Sequence, residues 1–132
     1  MPTPIDTVTQ FFALAGRPGG LAQAIRDYFT PDAVWENVGL CKSTGPEEAV
    51  KLLAGFGMDA ATCVLRVDML AVAADADKVL TERIDYVLDG QGQTTMTVQV
   101  MGIFGVKDGK ITAWRDYFDT AGLAAAASAA QA

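Results

Sequence analysis

The stretch Val79-Leu80-Thr81-Glu82-Arg83-Ile84-Asp85-Tyr86-Val87-Leu88 is rich in β-branched and apolar residues and is bounded by Asp77-Lys78 and Asp89-Gly90. It predicts a long strand inside a sheet. Side chains alternate faces along a strand, so Thr81, Arg83, Asp85 and Val87 share one side while Leu80, Glu82, Ile84, Tyr86 and Leu88 share the other. Arg83 and Asp85 are therefore neighbours on one face. A buried cation is costly unless an anion and further hydrogen bonds compensate it, so Arg-x-Asp in this setting is either a structural pair or part of a site.

Around this strand, three more are expected: Cys63 to Ala73, Thr94 to Val106 and Lys110 to Phe118. The turn sequences Asp75-Ala76-Asp77, Asp89-Gly90-Gln91-Gly92 and Lys107-Asp108-Gly109 separate them into an antiparallel meander. Gly102 and Gly105 are the positions where the third of these strands can bend or bulge. Upstream, Thr3 caps a first helix with Pro4 at its first position and Asp6 three residues on, and Ile5, Val8, Phe12 and Ala15 recur at helical spacing. A second helix carries Leu21, Ala24, Ile25 and Tyr28 and breaks at Thr30-Pro31-Asp32. A strand over Ala33 to Val38 follows, with Trp35 and Asn37 on one face. Thr44-Gly45-Pro46-Glu47 reads as a cap, a first-turn proline and a capping-box acid opening a third helix, near whose end Met58 lies.

The order ααβαββββ makes an α+β domain spanning 1–132. A curved, mostly antiparallel sheet is expected to close over three helices like a cone, leaving a pocket between its concave face and the helices. The alanine-rich tail from Thr120 is expected to be helical at first and frayed over 124–132.

Of the 132 residues, 51% are hydrophobic and 20% charged, which suits one globular domain with one core. The net charge of −6 comes from scattered Asp and Glu, with no basic cluster, so neither nucleic acid nor an anionic membrane is an expected partner. No apolar run approaches the ~20 residues of a bilayer span and the first residues lack a signal-peptide pattern, so a cytoplasmic location is expected. Cys41 and Cys63 stand in no metal or redox spacing and read as reduced thiols. The chain has no histidine. A Ser-His or Cys-His nucleophile is thereby excluded, zinc and non-haem iron lose their usual ligand, and acid–base chemistry falls to carboxylates. No cofactor and no metal are expected.

In the last strand Trp114, Asp116 and Phe118 share a face, and Arg115 points to the other with Tyr117 and Asp119. Arg83 is thus the better partner for Asp116. Arg66-Val67-Asp68 repeats the Arg-x-Asp pattern and shows that such pairs also arise as ordinary sheet ion pairs.

Thr81-Glu82-Arg83-Ile84-Asp85, Val98-Gln99-Val100-Met101-Gly102-Ile103-Phe104 and Gly109-Lys110-Ile111-Thr112-Ala113-Trp114-Arg115-Asp116-Tyr117-Phe118-Asp119, in this order and spacing, resemble the limonene-1,2-epoxide hydrolase family. That family lies within the nuclear-transport-factor-2-like and SnoaL-like superfamily. The resemblance implies one-step hydrolysis of a small apolar or cyclic epoxide to a vicinal diol, without a covalent intermediate. It makes Asp85 the proton donor, Arg83 the bridge, Asp116 the water-activating base and Asn37 the water holder. Trp35 stands where the family usually has a tyrosine, and an indole donates a hydrogen bond but accepts none.

Strand parity and position place Trp35, Met58, Val87, Val98, Val100 and Phe118 around the substrate. An outward sheet face with Tyr86, Leu88 and Ile103, together with the family's habit of pairing through its sheet, predicts a homodimer. Two other readings stay open: a ketosteroid-isomerase-like or polyketide-cyclase-like enzyme with a single Asp beside a carbonyl, and a non-catalytic module that binds a small apolar ligand.

Overall fold

A computed structural model describes residues 2–122; the alanine-rich tail beyond Gly122 lies outside the described residues. Helices α1 (Pro4–Ala15) and α2 (Gly20–Tyr28) lead into strands β1 (Phe29–Asn37) and β2 (Cys41–Thr44). Helix α3 (Pro46–Gly55) is followed by β3 (Val64–Asp75), β4 (Lys78–Leu88), β5 (Thr94–Lys107) and β6 (Lys110–Tyr117). The six strands form one sheet in the order β2-β1-β6-β5-β4-β3. Neighbours run antiparallel except β1 and β6, which are parallel.

The first helix starts as its sequence dictates. The Asp6 N–H donates to Thr3 Oγ1 and the Thr3 N–H to Asp6 Oδ2, each at 3.1 Å, which satisfies two of the amides that a helix start leaves unpaired. Burial along β4 alternates as the periodicity requires: Val79, Thr81, Arg83, Asp85 and Val87 face inward, and Leu80 and Glu82 are exposed. Phe11 and Phe12 of α1, Leu21 and Ile25 of α2, and Leu53 of α3 close over this face against Phe104 and Trp114.

Three local expectations change. The sheet has six strands rather than five, because β2 forms a hairpin with β1, pairing Asn37 with Cys41 and Val34 with Thr44. β1 begins at Phe29, so Thr30-Pro31-Asp32 lies within a strand; the pairing with β6 shifts register between Phe29 and Val34, and that irregular stretch accommodates a proline. Thr44 does not cap α3. It belongs to β2, and its N–H donates to Glu48 Oε1 at 3.0 Å, while the cap position is Gly45 at φ 81°, where a Cβ would lie 2.9 Å from the Pro31 carbonyl oxygen. Only glycine meets both the backbone angle and that approach.

Gly105 sits at a register shift between β5 and β6, so the expected bulge is present there. The exposed large apolar residues of the outer sheet face include Leu70, Leu80, Met101 and Tyr117, whereas Tyr86, Leu88 and Ile103 are half-buried. No helix among the described residues is long and apolar enough to cross a membrane.

Candidate active site

Three strands supply the polar groups of the concave face. β4 contributes Arg83 and Asp85, β6 contributes Asp116, and β1 contributes Asn37; the Cα atoms of Asn37 and Asp116 are direct partners across the parallel pair. All four residues are between 1% and 7% exposed. Strand parity put each on this face, and the register of three strands brings them together.

Arg83 lies between the acids. Its Nε donates to Asp85 Oδ1 at 3.0 Å and its Nη2 to Asp85 Oδ2 at 2.9 Å, a side-on pair; Nη2 also donates to Asp116 Oδ2 at 2.9 Å. Nη1 donates to Thr81 Oγ1 at 2.9 Å, and the Thr81 hydroxyl donates to the Gly102 carbonyl oxygen at 3.1 Å. The Phe12 ring centroid stands 4.9 Å from Arg83 Cζ, adding a cation–π contact. The two neighbouring anions hold the guanidinium charged despite its burial, raising its already high pKa. By contrast, the guanidinium of the second Arg-x-Asp motif lies over an aromatic ring, Arg66 Cζ being 4.2 Å from the centroid of Tyr86.

Asp116 is held on both oxygens, Oδ2 by Arg83 and Oδ1 by Trp114 Nε1 at 2.8 Å. Burial pushes its carboxyl above the ordinary range; Arg83 and the Trp114 N–H pull the other way, and the Asp85 charge adds to the rise. Trp35 stacks on Trp114 with centroids 4.8 Å apart, and Phe104 stacks on the indole of Trp114 at 5.3 Å. Trp35 Nε1 is buried and has no hydrogen-bond partner among the described residues. Asn37 Nδ2 donates to Cys41 Sγ at 3.6 Å; burial pushes the Cys41 thiol up, so it stays protonated and neutral beside the amide.

These groups open onto a cavity of about 70 Å³. Its wall includes all six expected residues, Trp35, Met58, Val87, Val98, Val100 and Phe118, together with Asn37, Asp85 and Asp116. Leu21, Phe56, Leu65, Met96 and Trp114 also line it and were not anticipated. Trp114 shares the parity of Asp116 and could have been found that way. Leu21 and Phe56 come from the helical layer and Leu65 from β3, where only tertiary packing decides what faces the acids. Arg83 is absent from the wall: its side chain is 0% exposed and lies behind both carboxylates. Among the described residues, no group of three or more His, Cys, Asp or Glu is arranged to hold a metal ion.

Residues 2–128 match the family model described as the limonene-1,2-epoxide hydrolase catalytic domain. The chain belongs to the limonene-1,2-epoxide hydrolase family. It is 39% identical over 96 residues to epoxide hydrolase EphG of Mycobacterium tuberculosis, a match covering 67% of this chain and 56% of that protein's length. A solved structure of an M. tuberculosis epoxide hydrolase of the limonene-1,2-epoxide hydrolase type superposes with TM-score 0.66 at 33% identity, covering 89% of this chain and 83% of that one. A SnoaL-like polyketide cyclase structure from Jannaschia superposes with TM-score 0.70 at 21% identity, covering 91% and 88% of the two chains, and shares the fold alone.

Proposed function

We propose that this member of the limonene-1,2-epoxide hydrolase family hydrolyses a small apolar or cyclic epoxide to a vicinal diol in one step, with no covalent intermediate and no cofactor. The observation that carries this reading is one buried guanidinium hydrogen-bonded to two carboxylates that both line an apolar cavity. Two carboxylates and one cation removed from water favour keeping one proton between them, so the pair supplies an acid and a base at once.

In the productive arrangement Asp85 carries the proton and Asp116 is ionised. Water held between Asn37 and Asp116 attacks an epoxide carbon from behind the C–O bond that breaks. Asp116 accepts the water's proton as Asp85 delivers its own to the departing oxygen. A proton returning from Asp116 to Asp85 restores the starting state. The raised Asp116 carboxyl suits this role, because a carboxylate with a higher pKa is the stronger base in its ionised form. Arg83 touches no substrate in this scheme; it orients both acids and holds their shared negative charge. The substrate is small and apolar because the rest of the wall is aliphatic and aromatic.

The test is a single-turnover reaction with a panel of cyclic and terpene epoxides in ¹⁸O-labelled water. Label in the diol, with none in the protein, is the expected result. Label transferred to a carboxylate of the protein would identify an ester intermediate, and failure to form diol from any epoxide would remove the hydrolase reading. The working unit we propose is a homodimer paired through the outer sheet face, where Leu80, Met101 and Tyr117 are exposed on adjoining strands. A monomer by light scattering at micromolar concentration would refute it.

A further inference from the structure

We propose that Thr81 is a positioning residue that occupies one arm of the Arg83 guanidinium and so leaves Asp116 a free lone pair for water. The proposal rests on the hydrolase reading above. Arg83 offers more N–H groups than the acids can accept without losing their own function. Nε and Nη2 are committed to Asp85, and the second N–H of Nη2 to Asp116 Oδ2. Nη1 remains, and it is the arm beside the base. A Cβ built on Gly102 would collide with Asp116 Oδ1, stand 2.5 Å from Arg83 Nη1 and 3.2 Å from Thr81 Oγ1, so these three atoms crowd one small space over the glycine.

In that space Nη1 is bonded to Thr81 Oγ1 at 2.9 Å, and Asp116 Oδ1 crowds the same glycine. Thr81 is 1% exposed, so water cannot stand in for its hydroxyl, and the hydroxyl is fixed by donating to the Gly102 carbonyl. Its lone pairs therefore face Nη1. Without that acceptor, an N–H of the desolvated Nη1 gains most by shifting toward Asp116 Oδ1, so that Nη1 and Nη2 grip the base end-on. A carboxylate held in this way has lost a lone pair to the cation and is the poorer base for it.

Asp116 is faced by Arg83 and Asp85 from β4, by Gly102 from β5, by Asn37 from β1 and by Trp114 on its own strand. Arg83 and Asp85 are the charged groups among these; Cys41, which titrates, lies behind Asn37. A change in Asp116 titration on altering Thr81 therefore reports on the guanidinium.

The experiment compares parent, Thr81→Val, Thr81→Ala and Thr81→Ser by ¹³C NMR titration of Asp carboxyls, and by kcat and KM against pH with cyclohexene oxide. In Thr81→Val the Asp116 midpoint is expected to fall by about one pH unit as it gains a charged donor. Its kcat should fall roughly ten- to a hundredfold with KM little changed, and the acid limb of the rate profile should move down with Asp116. Thr81→Ser should restore both quantities, and Thr81→Ala reads the same change if the valine variant does not fold. A hydroxyl-less variant that loses thermal stability while Asp116 titrates as in the parent would overturn the proposal, even with hydrolysis intact. The titration decides it equally if the parent opens no epoxide, in which case the hydrolase reading alone fails.

Discussion

Trp114 and Asp116, two residues apart on β6, are joined by a 2.8 Å hydrogen bond from the indole N–H to Oδ1, and the same indole is stacked between Trp35 and Phe104. The aromatic packing on this face therefore also orients a carboxylate. Replacing Trp114 by Phe keeps much of the stack and removes the N–H. The Asp116 carboxyl then rises further, since that N–H favours its ionised form. A base must be ionised to act, so the acid limb of kcat/KM should move to higher pH; an unmoved limb would mean that the bond does not act on the reacting carboxylate.

Asp116→Asn and Asp85→Asn should each abolish epoxide turnover and still fold. Asparagine retains shape and some hydrogen bonding but transfers no proton. If either keeps most of the parent's turnover, the two-carboxylate mechanism is wrong.

The stability of Asp116→Asn should depend on pH in a specific way. Folding raises the Asp116 pKa, so between its unfolded value near ~4 and its folded value the native state binds more protons than the unfolded one. Its contribution to stability is full below the unfolded value and is lost as pH rises through the folded one. Asp116→Asn removes that loss. Urea denaturation from acid to neutral pH should show the variant gaining on the parent as pH rises.

Arg83→Ala leaves two buried carboxyls without their shared cation and should lower stability by about 3–5 kcal/mol at neutral pH. The loss should shrink in acid, where protonation relieves both carboxyls. Equal destabilisation at acid and neutral pH would assign the effect to lost side-chain volume.

Val98 is the direct cross-strand partner of Asp85 and lines the cavity. Val98→Phe should bias turnover toward smaller epoxides with little change in thermal midpoint, because the side chain is only half-buried. Competition between a small and a large cyclic epoxide measures it, and an unaltered ratio would take Val98 out of the substrate wall.

Much of this arrangement was legible because strands have a period of two. The parity of β4 put Thr81, Arg83 and Asp85 on one face, and the opposite direction of Arg115 left Arg83 as the cation for Asp116. β2 escaped notice because Cys41-Lys42-Ser43-Thr44 is short and polar and forms only by pairing with β1. Its effect on the site is direct, since it delivers Cys41 to Asn37. The cap of α3 was misplaced because Thr44 has the right chemistry, but its backbone is already engaged in a strand. The use of the Thr81 hydroxyl was invisible for another reason: it depends on where the guanidinium at the end of a long, flexible side chain comes to rest.

The parallel join between the first strand and the last has a consequence for how the molecule is made. Arg83 and Asp85 are near neighbours in the chain, and the β3–β4–β5 meander can form early with that pair already charge-balanced. Asp116 arrives with β6, and Asn37 meets it only when β1 docks beside that strand. No partly assembled form lacking that seam holds both the base and its amide. Recovery of turnover after dilution from denaturant should therefore trail the recovery of sheet content, with activity marking the closing of the seam.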